Sequence, residues 1–160
     1  MPLTTGPLTQ TAWVVPDIAA TEAGLSELLG VKRWTRLPAI EFPAETCTYR
    51  GTPSEFVAHI SLSYVGDMQL ELIEPVSGQS IYSEFIERTG GGLHHVCVEV
   101  DDLDATLAAT ELPVAQQGSM ADGAIRFAYL DGSAHGVPYL ELAQIDATMR
   151  GFFDAIKAAA

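Results

Sequence analysis

Apolar and polar positions along the chain alternate in two ways, and the alternation predicts an ordered set of elements. Residues 10–15 are β-branched and aromatic and stop at Pro16-Asp17, which reads as a strand. Asp17 is placed to cap a helix running through Ile18, Leu25, Leu28 and Leu29 to Gly30. Residues 47–50, 56–64 and 68–73 read as strands, with turns at Gly51-Thr52-Pro53 and Gly66-Asp67. A short helix is predicted over 80–89, ended by Gly90-Gly91-Gly92, which divides the chain into halves. A strand over 94–100, a helix over 102–110 and strands over 125–130 and 138–144 follow. From Asp146 onward, Met149, Phe152, Phe153 and Ile156 fall on one helical face, suited to packing on the body or on a sister subunit.

The halves echo each other. At an offset of 85, Val15, Asp17, Ala20 and Thr21 recur as Val100, Asp102, Ala105 and Thr106. At an offset of 70, Leu70-Glu71-Leu72 recurs as Leu140-Glu141-Leu142. Each half therefore reads as a strand, a helix and further strands, the last carrying L-E-L. Short matches of common residues also arise by chance, but here both echoes keep the same order. The expected organisation is one domain over 1–160, with one module at about 8–75, a second at about 92–145 and a helical tail from 146 to 160.

Composition narrows the function. Eight Lys+Arg against 21 Asp+Glu give a net charge of −13, which repels phosphate backbones and anionic lipid, so neither nucleic acid nor a membrane surface is an expected partner. Cys47 and Cys97 are too few for a disulfide scaffold and lack metal-type spacing. The opening MPLTTGPLTQ has no basic stretch of the signal-peptide kind, and the default expectation is cytoplasmic. No glycine-rich phosphate loop and no G-x-S-x-G is present.

The repeat selects the candidate chemistry. It superimposes Gln10 on His95 and Glu71 on Glu141. Each is a polar residue inside an apolar strand, where burial without a partner costs several kcal/mol. A pseudo-twofold axis would bring all four into one cavity, and one imidazole nitrogen with three oxygens suits Zn, Ni, Co, Mn or Mg. Plainer readings exist: Gln10 facing solvent, and Glu71 and Glu141 on a wet sheet face. Strand alternation sends His94 and His95 to opposite faces, and His95 is the one in register with Gln10. His59 is a further candidate for the cavity wall, whereas His135 reads as a loop residue.

At these residues the chain resembles the vicinal oxygen chelate superfamily, the glyoxalase, bleomycin-resistance and dioxygenase type, over residues 8 to 145. The similarity is densest from Leu70 to Ala105, LELIEPVSGQSIYSEFIERTGGGLHHVCVEVDDLDA, and is nearest to the methylmalonyl-CoA epimerase branch. The resemblance implies an α+β fold of two βαβββ modules in a mixed sheet curled around a metal cavity. It implies metal ligands at Gln10, Glu71, His95 and Glu141. Gln10 stands where the epimerase pattern has histidine, although a Gln-Glu-His-Glu set is similar to that of human-type glyoxalase I. The branch also uses a carboxylate base ahead of its E-L-L-E-P strand, and ungapped counting places it at Glu55.

The resulting expectation is a metal-dependent isomerase or glyoxalase-type lyase with Glu141 or Glu55 as the base. It would remove the proton α to a carbonyl or thioester, and a homodimer is the family expectation. No basic cluster beyond Lys32, Arg33 and Arg36 is available for a CoA thioester's phosphates. Trp13, Trp34, Phe42, Phe56, Tyr64 and Tyr129 instead suggest an apolar cavity. The alternative is a metal-free protein that sequesters a small molecule, as bleomycin-resistance relatives do.

Overall fold

In the computed structural model, which describes residues 2–160, ten strands join one mixed sheet. The first half holds β1 (Leu8–Val14), α1 (Ile18–Leu29), β2 (Thr35–Phe42), β3 (Cys47–Tyr49), β4 (Thr52–Pro53), β5 (Phe56–Val65) and β6 (Met68–Gly78). After α2 (Ile81–Thr89), the second holds β7 (Gly92–Glu99), α3 (Leu103–Ala108), β8 (Val114–Met120), β9 (Ile125–Asp131), β10 (Tyr139–Ile145) and α4 (Ala147–Ala159). The spatial order is β2-β5-β6-β1-β7-β10-β9-β8-β3-β4. The halves are thus mirrored in order about the antiparallel β1–β7 seam, with a parallel strand beside each seam strand. The β3–β4 hairpin crosses over to lengthen the edge at β8.

The repeat is expressed atom by atom. Asp17 and Asp102 each accept a hydrogen bond from the backbone N–H three residues on, at 2.9 Å, capping α1 and α3. Thr21 and Thr106 each donate their hydroxyl back to the cap residue's carbonyl. Glu74 at the end of one module and Gln144 in the other accept from the first helical N–H, of Ile18 and Leu103 respectively. The first strands pair with the last in equivalent register: Gln10 lies opposite Gln69 and His95 opposite Tyr139, two residues before each glutamate.

Three strands escape the sequence pattern, the shortest being β4, where Thr52 and Pro53, expected within a turn, pair instead with Tyr49 and Thr48. β2 is an edge strand carrying Pro38, with half of its residues exposed and a bulge between Leu37 and Ile40 where Ala39 adopts φ 50°. β8, VAQQGSM, has little β-branched content and takes its form from β9 and β3. Within the curl lies an aromatic core. Phe42 stacks on Phe56 with centroids 4.5 Å apart, and Phe56 meets Tyr82 edge-on. The apolar face of α4 packs on the body, burying Met149 and Ile156.

Candidate metal centre

The four polar positions singled out by the repeat meet in the hollow of the sheet. His95, on the seam strand β7, is fully buried, and its Nε2 lies 3.1 Å from Glu141 Oε2 and 3.3 Å from Glu71 Oε2. Gln10 Oε1, from the other seam strand, lies 3.3 Å from the same nitrogen. Ligand atoms of Glu71, His95 and Glu141 all fall within 4.8 Å of one another.

Burial opposes charge on His95, but the hydrogen bonds and fields of Glu141 and Glu71 outweigh it and push its pKa up to about 9. Burial raises Glu71 above the usual carboxylate range, although His95 pulls it partly back. One buried and one largely buried carboxylate converge on one imidazole with a neutral amide beside them. Although 3.1 Å from His95 Nε2, Glu141 Oε2 is buried and receives no well-directed hydrogen bond. A set of one nitrogen and three oxygen donors, two of them anionic, fits a divalent cation.

Around these donors lies a second layer of contacts. Gln10 Nε2 donates to Gln69 Oε1 at 2.7 Å, and Gln69 Nε2 donates to the Tyr64 hydroxyl at 2.9 Å. That chain fixes the Gln10 amide with its carbonyl oxygen toward His95. On the other side, His94 Nδ1 lies 2.8 Å from His95 Nδ1. The two rings are therefore not on opposite faces. Ala12 pairs with His95 and Trp13 with Leu93, so His94 is the extra residue of a β-bulge, and the alternation breaks there. His94 is wedged against Phe85 and Tyr139, its Nε2 without a partner, and burial holds its pKa well below the usual imidazole value.

The donors open into a cavity of about 70 Å³ with mainly apolar walls. Phe42, Ile60 and Leu62 come from the first half, Phe127 and Ile125 from the second, and Met149, Phe152 and Phe153 from α4. Tyr82 and Tyr129 also reach it, with hydroxyls 2.7 Å apart, and burial keeps both phenols protonated far above the normal range.

Several expected residues lie elsewhere. Glu55 is exposed in the loop before β5 and does not line the cavity, because β5 presents Ile60 and Leu62 there. His59 is turned to the sheet edge, where its Nδ1 accepts the Ala39 N–H at 2.9 Å. His135 sits in an exposed turn. Of the aromatic residues expected in the wall, Phe42 and Tyr129 reach it. Phe56 lies beneath them, and the Trp34 indole donates to Ser26 on α1. Gln69, Tyr82 and the α4 side chains were not expected at the site. Gln69 was open to detection as the register partner of Gln10, whereas α4 left only an apolar stripe with no stated target.

Residues 9–129 match the family model of the glyoxalase/bleomycin resistance protein/dioxygenase superfamily. The chain belongs to that superfamily. Among curated members, it is 28% identical over 138 residues to mouse mitochondrial methylmalonyl-CoA epimerase, an alignment covering 86% of this chain and 65% of that protein. It is 29% identical over 138 residues to the ethylmalonyl-CoA/methylmalonyl-CoA epimerase of Cereibacter sphaeroides, covering 86% and 87%. The chain thus spans less than two thirds of the mouse enzyme, and the match to its human counterpart covers 51% of that protein. The superfamily fold is shared with methylmalonyl-CoA epimerase of Mycobacterium tuberculosis, at a TM-score of 0.60 and 17% identity over 93% of each chain. A hypothetical protein of Bacillus halodurans gives the same TM-score at 21% identity, covering 89% of this chain and 96% of that one.

Proposed function

We propose that the chain is an epimerase-like isomerase that moves the proton α to a carbonyl or thioester with the help of a divalent ion. The carrying observation is the convergence of Gln10, Glu71, His95 and Glu141 at the head of an apolar cavity. Similarity to the curated epimerases supports the same reading.

Gln10 Oε1, His95 Nε2 and one oxygen each of Glu71 and Glu141 would hold the ion, which supplies Lewis-acid stabilisation of charge developing on the substrate's carbonyl oxygen. Glu141 Oε2 faces His95, which leaves Oε1 to take the α-proton. Glu71 occupies the pseudosymmetric position, so the two carboxylates approach the cavity from opposite modules. Return of the proton from Glu141, or of one it has exchanged with solvent, to the opposite face inverts the carbon; return to a neighbouring carbon gives the glyoxalase outcome. In the Tyr82–Tyr129 pair one hydroxyl proton is spent on the partner, and the other is free to donate to a substrate oxygen. The apolar walls exclude water and so strengthen each of these interactions.

The alternative, a sequestering protein with no ion, leaves two carboxylates sharing one counter-charge, the His95 imidazolium, at the head of an apolar cavity. The test is metal content after chelator-free purification, followed by wash-in of solvent deuterium at the α-position of acyl-CoA thioesters, hemithioacetals and 1,2-diketones. The reading expects about one ion per chain, lost in a His95→Ala/Glu141→Ala double variant, and exchange in one substrate class. Absence of exchange across all three classes would refute it.

A further inference from the structure

We infer that the substrate group entering this cavity is compact, uncharged and apolar, and that α4 enforces this choice. The inference rests on the isomerase reading for the ion, and narrows its substrate class to acyl groups without a free carboxylate.

The charge balance comes first. Glu71 and Glu141 bring two negative charges, which a divalent ion would neutralise with His95 uncharged. A further carboxylate on the substrate would need a cation of its own. Neither lysine nor arginine is among the cavity's lining residues. The two basic residues of α4, the helix that walls the cavity, are Arg150 and Lys157, and both turn outward. Arg150 pairs with Glu99, and Lys157 pairs with Asp67 at 2.6 Å. Arg36, Arg50 and Arg126 are likewise engaged, with Glu22, Glu84 and Asp104. A carboxylate buried beside two others without a counter-ion is strongly disfavoured.

The shape agrees with the charge. α4 is anchored by its two outward ion pairs, and its inner face lays Met149, Phe152 and Phe153 across the cavity. The remaining space of about 70 Å³ suits a short aliphatic group and disfavours a solvated anion. The same helix thus sends its cations to solvent and its apolar side chains to the ligand.

The test uses two hydroxamates with one chelating head. 4-Methylpentanohydroxamate carries a terminal isopropyl group, and succinic acid monohydroxamate carries a carboxylate of nearly the same shape. The full chain is titrated with Co(II), and each hydroxamate is then added while the cobalt absorption is followed. Each affinity is divided by that for Co(II) in buffer alone. The isopropyl compound is expected to bind at least about tenfold more tightly than the carboxylate. A Phe152→Arg variant, altering a partly exposed wall residue, is expected to close the gap to under about threefold by strengthening the carboxylate. Equal affinities, a preference for the carboxylate, no binding of either compound to loaded protein, or an unchanged gap in the variant would each overturn the inference. The first, second and last leave the isomerase reading standing. Failure to take up Co(II) removes that reading, and the inference with it.

Discussion

Ion binding should displace a proton from His95, and the structure sets the size of the effect. In the metal-free protein, burial works against the His95 charge, but Glu141 and Glu71 more than compensate and hold its pKa at about 9. At pH 7 the ring is two units below that value, so about one molecule in a hundred presents a free Nε2. A cation needs that lone pair. The cost of removing the proton is two units at 1.36 kcal/mol each, about 3 kcal/mol, or about a hundredfold in apparent affinity. The sign is fixed: affinity rises about tenfold per unit from pH 7 toward 9 and levels off above it. Calorimetric titration with Co(II) in buffers of different ionisation enthalpy counts the protons released. About one is expected at pH 7, falling toward zero near pH 10, and a His95→Gln variant should lose the slope. A count near zero at pH 7, with affinity flat between pH 7 and 9, would refute the argument.

Other consequences are open to direct measurement. Gln69→Leu removes the acceptor that orients Gln10 and should weaken Co(II) binding about 10- to 100-fold, whereas Gln69→Glu keeps the acceptor and should recover most of it; equal losses would show that orientation is not the cause. Glu141→Gln should abolish α-deuterium wash-in, while Glu55→Gln, altering an exposed loop residue, should stay within about twofold of wild type; loss of exchange in the second would restore a role for that loop. Phe56→Ala empties the centre of the aromatic core and should cost about 3–5 kcal/mol in chemical denaturation, and a cost under about 1 kcal/mol would contradict the packing described. Asp17→Ala and Asp102→Ala each remove one helix cap of the same geometry and should lower stability by similar amounts, about 1 kcal/mol each in urea unfolding.

The residues that were legible in advance are those the duplication wrote twice. The Asp caps, the Thr back-bonds and the L-E-L strands recur at fixed offsets because each module solves the same local problem of starting a helix and ending a sheet strand. The meeting of Gln10, Glu71, His95 and Glu141 followed from that recurrence. What the chain did not disclose depends on contacts between distant segments. β2 and β8 lack a strand pattern because their neighbours, rather than their own side chains, impose the form. The His94 bulge is invisible to alternation, since one extra residue leaves composition unchanged. Glu55 was reached by ungapped counting, which could not reveal that β5 turns Ile60 and Leu62 to the cavity. The stripe on α4 announced that something would be covered, but which surface depended on the closure of the sheet.

The ten-stranded sheet remains open, and an open sheet ends in unpaired backbone groups on which a foreign strand can build. Here both terminal strands carry a proline, Pro38 in β2 and Pro53 in β4. Proline lacks the N–H that a regular ladder needs. At β2 the interruption is reinforced by the Ala39 kink, which His59 clasps from the neighbouring strand. At β4 the strand is two residues long, too short to template another. The histidine and prolines that contribute nothing to the candidate site thus guard the molecule against fibril-like growth, letting a curved sheet stay open around its cavity without recruiting its neighbours.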